Sequence, residues 1–298
     1  MSAPSSSQKL GESSSPRQRT VQAQSDDEEF LGLDDLLPAE SPVPAPFSFS
    51  TYEIPEDVHI DLDEARGRQL ILRLVGNHPL WGHHLWNTAR CLSTYLLRTP
   101  DLTKGRRVLE LGAGAGLPSI VCALAESHYT LVTDYPDNSL IGNMEYNVDI
   151  NVEGERRERI GVAGHVWGHN VQPLLDHLPG SEQYDLLILS DLVFNHSQHD
   201  ALIKTVEATL THDETRDPCI LVFFSHHRPH LAHADMAFFP RLAESGSGWA
   251  YEEIVAEWTG PMFEEDPGDA RVRGTVHGWR AWRIRAGEEK GERPSRVL

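Results

Sequence analysis

Apolar residues in this chain recur at two spacings, and the two alternate. Leu85, Ala89, Leu92 and Leu96 repeat every three or four residues, which predicts an amphipathic helix ending near Pro100. Arg107-Val108-Leu109-Glu110-Leu111 is instead a short apolar strand entering a glycine-rich turn, and a helix follows through Ile120-Val121-Cys122-Ala123-Leu124. Residues 129–133 read as a second strand ending at Asp134, 139–148 as a helix and 160–166 as a strand. The runs 184–190 and 219–224 are almost continuously apolar, as in strands of a parallel sheet buried on both faces, and 201–210 between them is helical. Earlier, 52–58 and 69–75 read as short strands forming a hairpin. Later, 252–258 and 276–284 read as strands without a clear helix between them, an antiparallel hairpin at the sheet edge. Alternation of this kind over about 240 residues predicts an α/β fold with a doubly wound, mostly parallel sheet.

The ends of the chain break the pattern. Seven serines fall in the first 20 positions, followed by Asp26-Asp27-Glu28-Glu29 and then Pro38, Pro42, Pro44 and Pro46. So little apolar surface cannot offset the entropy of ordering, so residues 1–50 are expected to be a disordered tail, 51–287 the folded domain and 288–298 a frayed end. Within the tail, the apolar-acidic segment 30–37 has two readings: a docking motif, or a solvated linker with stray leucines.

Composition narrows the function classes. At 298 residues the chain makes one large domain or two small ones, and 39% hydrophobic residues suffice for a core. Its formal net charge of -19 argues against nucleic acid as a main partner and favours basic ones. Cys91, Cys122 and Cys219 are far apart, sit in apolar company and form no CxxC pair, as expected of reduced thiols. The start of the chain lacks an apolar signal core, and the longest uncharged stretches fall short of about 20 residues. A soluble, cytoplasmic protein without a membrane partner is expected.

The chemistry concentrates at Val108-Leu-Glu-Leu-Gly-Ala-Gly-Ala-Gly-Leu-Pro118. A strand delivers the chain to Gly112, Ala113, Gly114 and Gly116, where glycines permit a sharp turn, close backbone approach to a ligand, and helix N–H groups aimed at it. The third glycine comes one residue too early for the dinucleotide fingerprint GxGxxG, and no GxxxxGK[ST] is present. Asp134, ending the next strand, is placed to accept hydrogen bonds from ribose hydroxyls, a role that would serve NAD equally well. A tight turn without a ligand is the bland alternative.

ExGxGxG (Glu110, Gly112, Gly114, Gly116) resembles motif I of the S-adenosylmethionine-dependent methyltransferases, which implies a Rossmann-like seven-strand sheet with an antiparallel edge strand. Trp86-Asn87, Trp167-Gly168 and Ser190-Asp191-Leu192-Val193-Phe194 resemble the branch that methylates lysine and N-terminal amines of proteins. Within that branch, Pro79-Leu80-Trp81-Gly82-His83-His84-Leu85-Trp86-Asn87, Thr133-Asp134-Tyr135-Pro136-Asp137 and Asn143-Met144-Glu145-Tyr146-Asn147 are similar to the fungal family acting on translation elongation factor one-alpha. The similarity spans roughly residues 50–285. The resemblance implies S-adenosylmethionine as cofactor and elongation factor one-alpha as protein substrate; a monomer is expected, though the sequence leaves the oligomeric state open. It implies cofactor contacts from Trp86, Gly112, Ala113, Gly114, Asp134, Trp167 and Ser190, and acceptor-site roles for Asp191 and Phe194.

Each assignment has a plainer competitor. Trp86 on an amphipathic helix can serve the core, and Asp191 can cap the helix that follows it. The stretch His226-His227-Arg228-Pro229-His230-Leu231-Ala232-His233 suggests metal, yet Pro229 breaks any helix that would align its histidines and no cysteine lies near, so no metal is expected. It reads as the loop after the fifth strand of the sheet, over the active-site face, with no sign of which histidine meets substrate. Three alternatives to a protein methyltransferase stay open: a small-amine methyltransferase, a non-catalytic scaffold on the same fold, and, least favoured, an NAD oxidoreductase.

Overall fold

The computed structural model describes residues 47–58, 60, 68–76, 82–246 and 248–285. The expectations for the tail through residue 46, the 30–37 segment, Pro79-Leu80-Trp81 and the frayed end lie outside the described residues.

A two-stranded antiparallel sheet opens the fold, with β1 (Ser48–Glu53) on β2 (Gln69–Leu74) in a register running from Ser48 opposite Leu74 to Glu53 opposite Gln69. After helix α1 (Asn87–Arg98) strand and helix alternate: β3 (Arg107–Leu111), α2 (Leu117–Leu124), β4 (Tyr129–Asp134), α3 (Asn138–Asn151), the short α4 (Gly154–Glu158) and β5 (Ile160–Gly164). The second half runs α5 (Gln172–Leu175), β6 (Leu186–Ser190), α6 (His199–Thr209), β7 (Cys219–Ser225), α7 (Ala232–Met236), α8 (Phe238–Glu244), β8 (Trp249–Trp258), α9 (Ala270–Gly274) and β9 (Thr275–Arg283).

Seven of these strands form one sheet in the order β5-β4-β3-β6-β7-β9-β8. β3 to β7 are mutually parallel, while β9 runs against both β7 and β8. The chain starts at β3, winds outward to β5 and returns to β6, so the winding reverses between β3 and β6. Open α/β sheets bind ligands outside the carboxyl ends of strands at such a reversal.

Side-chain alternation along the central strands fills two core layers. Val108, Ile188 and Leu221 face Leu92 and Leu96 of α1 and the α2–α3 layer, and Leu109, Leu187 and Val222 face Leu202 and Val206 of α6 and Phe238 of α8. At the amino end of β6, fully buried Asp185 accepts hydrogen bonds from Arg107 and Arg216, and burial, which would raise its pKa, is outweighed by the two guanidinium groups.

The hairpin is tied down by an asparagine ladder. Asn143, Asn147 and Asn151 stand four residues apart on α3 and so share a face. Asn147 Oδ1 accepts from the Arg73 N–H at 2.7 Å and its Nδ2 donates to the Arg73 carbonyl at 2.8 Å; Asn151 does the same for Ile71 at 3.0 and 2.7 Å. These amides take the place of a neighbouring strand along the edge of β2. Asn147 Nδ2 also reaches the Ala115 carbonyl at 3.0 Å, which joins the hairpin to the glycine turn.

Three local expectations are corrected. The first hairpin strand is Ser48–Glu53 rather than 52–58, because a strand with one face in solvent accepts the Ser/Thr-rich 48–51 stretch and Pro55 follows the last pair. The segment after Pro229 is not merely a loop: α7 and α8 form there, burying Phe238, Phe239 and Leu242, with Pro240 in the first turn of α8, where no N–H is required. Finally, one helical turn, α9, stands between the last two strands, and β9 is inserted between β7 and the edge strand β8.

Candidate active site

The carboxyl ends of β3, β4, β6 and β7 open into one cavity of about 1530 Å³. All nine candidates line it: Trp86, Gly112, Ala113, Gly114, Asp134, Trp167, Ser190, Asp191 and Phe194.

The turn after β3 needs its glycines. Gly112 has φ 61°, and a Cβ there would lie 2.6 Å from a Leu192 methyl and 3.0 Å from the Trp167 ring. Gly114 has φ 56° with nothing within 4 Å of such a Cβ, so its glycine answers backbone conformation and leaves open space on the cavity side. Asp134 Oδ2 accepts from the Gly114 N–H at 2.7 Å, and Oδ1 accepts from the Tyr135 N–H at 2.7 Å. The carboxylate thus holds the turn at the cavity wall.

Glu110 does not line the cavity. It lies fully buried behind the turn, and its Oε2 accepts from the Ser119 N–H at 3.0 Å and hydroxyl at 2.5 Å, caps for the first turn of α2 supplied by the preceding strand. Burial pushes its carboxyl up to about 8 against the lowering effect of the Ser119 bonds. A cradle a Cβ would fill, two acceptor oxygens beside it and the flat Trp167 wall suit a ligand with a ribose and a planar base, as S-adenosylmethionine has.

Asp191 is the first residue past β6. It adopts φ 59°, a conformation that costs an L-residue about 1–2 kcal/mol and clusters at functional sites. Its N–H donates to the Phe223 carbonyl at 2.7 Å, fixing the turn to β7. It does not cap the following helix: α6 has Gln198 at its N-cap, while Asp191 Oδ2 meets His227 Nε2 at 2.8 Å. Burial alone would lower the His227 pKa, but the Asp191 carboxylate, with Asp235 and Asp266, holds it above the ordinary value.

Around this pair stand aromatic rings. Trp86, half-buried ahead of α1, meets His227 edge-on at 5.0 Å, His84 at 5.5 Å and Phe263 at 6.0 Å between ring centres. Phe194 stands partly exposed on the cavity lining. Of the histidine-rich stretch, His226 bonds Asp235 at 2.7 Å and His227 bonds Asp191, and His196, outside the stretch, also bonds Asp235 at 2.7 Å. Among the described residues, no group of three or more His, Cys, Asp or Glu is placed to hold a metal ion.

The sequence missed His227, Phe263 and Asp266 as lining groups. His227 lay in a conspicuous cluster that did not single it out. Phe263 and Asp266 come from the β8–β9 connection, whose Pro/Gly/acidic composition carries no motif.

Residues 69–245 match the family described as lysine methyltransferase. The chain is 66% identical over 288 residues to the protein N-terminal and lysine N-methyltransferase EFM7 of Cryptococcus neoformans var. neoformans serotype D, covering 92% of this chain and 96% of that one. It is 43% identical over 240 residues to the Schizosaccharomyces pombe protein of the same description, covering 80% and 92%. A solved methyltransferase complexed with SAH aligns with a TM-score of 0.50 at 11% identity, over 76% of this chain and 57% of that one, a likeness of fold. The protein is a methyltransferase, and the chain belongs to the lysine methyltransferase family.

Proposed function

We propose that this protein uses S-adenosylmethionine to methylate the N-terminal α-amine and a nearby lysine of translation elongation factor one-alpha. The observation that carries this reading is the juxtaposition, in one cavity, of a glycine cradle with Asp134 and a carboxylate–aromatic pocket built from Asp191, Trp86 and Phe263. The names of the relatives supply both amine types, and the resemblance of the Trp-Gly-His-His-Leu-Trp-Asn and Asp-Tyr-Pro-Asp runs supplies the elongation factor.

When bound, the cofactor would supply an electrophilic methyl group on a sulfonium. Gly112, Ala113 and Gly114 would carry its backbone contacts, Asp134 its ribose, Trp167 its base, and Trp86 and Ser190 would complete the enclosure. The chain's remaining task is to present a neutral amine in line. Orientation of two bound reactants supplies about 7–11 kcal/mol. An α-amine with pKa near ~7.8 is roughly a tenth neutral at pH 7, whereas a lysine near ~10.4 is neutral in less than about one part in a thousand. Asp191 orients the entering ammonium and holds its charge, and the rings of Trp86, Phe263 and Phe194 strip its water, which favours the neutral form.

A small-amine substrate is less well supported. Ligand pockets commonly hold about 300–1,000 Å³. The cavity, at about 1530 Å³, has room for a cofactor and the end of a polypeptide. We also propose a monomer acting in the cytoplasm, a setting that suits its three buried free cysteines. The test is titration with S-adenosylhomocysteine, then transfer of label from S-adenosylmethionine to purified elongation factor one-alpha and, separately, to nicotinamide. Label on the protein alone supports the reading; label on nicotinamide alone replaces it with the small-amine activity.

A further inference from the structure

We infer that His227, held by Asp191, is a catalytic residue that removes the proton from the entering ammonium. The inference rests on the proposed amine-methylating function and adds to it the group that generates the nucleophile.

An ionised carboxylate only accepts hydrogen bonds, so the 2.8 Å contact between Asp191 Oδ2 and His227 Nε2 assigns the ring's proton to Nε2 in the neutral imidazole. That leaves the Nδ1 lone pair, which has no hydrogen-bond partner among the described residues. The ring lines the cavity with its side chain 23% exposed, and it packs edge-on against Trp86, the wall of the amine pocket. It is an acceptor at the mouth of a pocket that receives an ammonium. Asp191 alone fits this task less well: Oδ2 is occupied by the ring, and Oδ1 faces the Ser225 N–H at 3.5 Å.

The surroundings favour a ring that accepts a proton. Asp191 faces it from the end of β6, Asp235 from α7 and Asp266 from the β8–β9 connection, all carboxylates that stabilise an imidazolium, and together they hold the His227 pKa above its ordinary value despite burial. Of its chain neighbours, His226 bonds Asp235 through Nδ1, and Arg228 Nη2 lies 3.4 Å from the Phe194 carbonyl. The other nearby histidine, His84, is pushed toward neutrality by burial and by His83, so it adds no opposing charge where the ammonium enters.

The step balances. One N–H bond of the ammonium breaks and its proton passes to Nδ1, giving an imidazolium paired with the Asp191 carboxylate. The freed nitrogen lone pair then forms the N–C bond as the methyl C–S bond breaks, and that electron pair stays on sulfur. The imidazolium returns its proton to water.

Two measurements test the assignment on the full chain. In the first, His227 is titrated by imidazole NMR without cofactor or substrate, in the wild type and in Asp191→Asn. Pairing predicts that the pKa falls when the carboxylate is removed; an unchanged titration overturns the pairing. In the second, methylation of elongation factor one-alpha is followed from pH 6 to 9.5 in the wild type, His227→Asn and His227→Gln, with S-adenosylhomocysteine affinity measured in parallel. General-base action predicts a loss at pH 7 of up to about tenfold for the α-amine, which is already about a tenth neutral there, and of up to about 10³-fold for a lysine. Affinity should be unchanged, and the gap should narrow toward pH 9.5, where the α-amine is already neutral. A rate near wild type, or a deficit constant across the whole pH range, overturns the assignment. A wild type that binds S-adenosylhomocysteine but transfers nothing to the elongation factor overturns the function on which the assignment rests.

Discussion

Gly112 carries two demands that a single methyl group would violate. Its φ of 61° disfavours a side chain, and the Cβ would press on Leu192 and Trp167. Gly112→Ala should therefore lower stability by at least about 1–2 kcal/mol. It should also weaken S-adenosylhomocysteine binding tenfold or more, measured by thermal denaturation and calorimetric titration. Glu110 makes a different prediction. Its native pKa of about 8 stands above the ordinary 4.5, so between those values the folded state binds more protons than the unfolded one. The stability contributed by the neutral acid is complete below about pH 4.5 and is lost as pH rises through 8, with a ceiling of about 5 kcal/mol. In Glu110→Gln the fall in melting temperature from pH 6 to pH 9 should be smaller than in the wild type. At this scale the glycine turn was legible because its requirement is local: the residues that need freedom are the residues that have it. The His227–Asp191 contact was not, since it joins residues 36 apart through the juxtaposition of β6 and β7.

Elements were legible where burial is uniform. β3, β6 and β7 announce themselves as apolar runs, and their structural bounds lie within two residues of the sequence reading. α8 was not, because its buried face is only Phe238, Phe239 and Leu242 and it contains Pro240. The insertion of β9 between β7 and β8 was equally hidden, since antiparallel order within a sheet leaves no mark on a strand's own pattern. The hairpin depends on α3 in a testable way. Asn147→Ala would leave the Arg73 N–H without its 2.7 Å acceptor and take a donor from the Arg73 and Ala115 carbonyls. At roughly 1–3 kcal/mol per orphaned buried group, the loss should be about 2–4 kcal/mol in urea denaturation. S-adenosylhomocysteine affinity should fall with it, because Ala115 belongs to the glycine turn; an affinity unchanged in a destabilised variant would show that the two are uncoupled.

For the molecule as a whole, the excess of acid is not confined to the N-terminal stretch. The first 60 residues hold 11 of the 45 acids and three of the 26 bases, which leaves 34 acids against 23 bases in the rest of the chain. With Asp191, Asp235 and Asp266 lining the cavity, a basic polypeptide is attracted both at long range and at the site. KM for such a substrate should therefore rise several-fold between about 50 and 300 mM salt while kcat stays within about twofold, since screening acts mainly on encounter between exposed charges. In the proposed reaction the cavity delivers a methyl group to a protein N-terminal amine and a nearby lysine. The most direct test is transfer of labelled methyl from S-adenosylmethionine to purified elongation factor one-alpha, compared with a copy whose N-terminus is chemically blocked. Strong labelling of the free form is expected, and on the blocked form only a residual label that maps to a lysine close to the N-terminus. Absence of label on both forms, with S-adenosylhomocysteine bound, would contradict it.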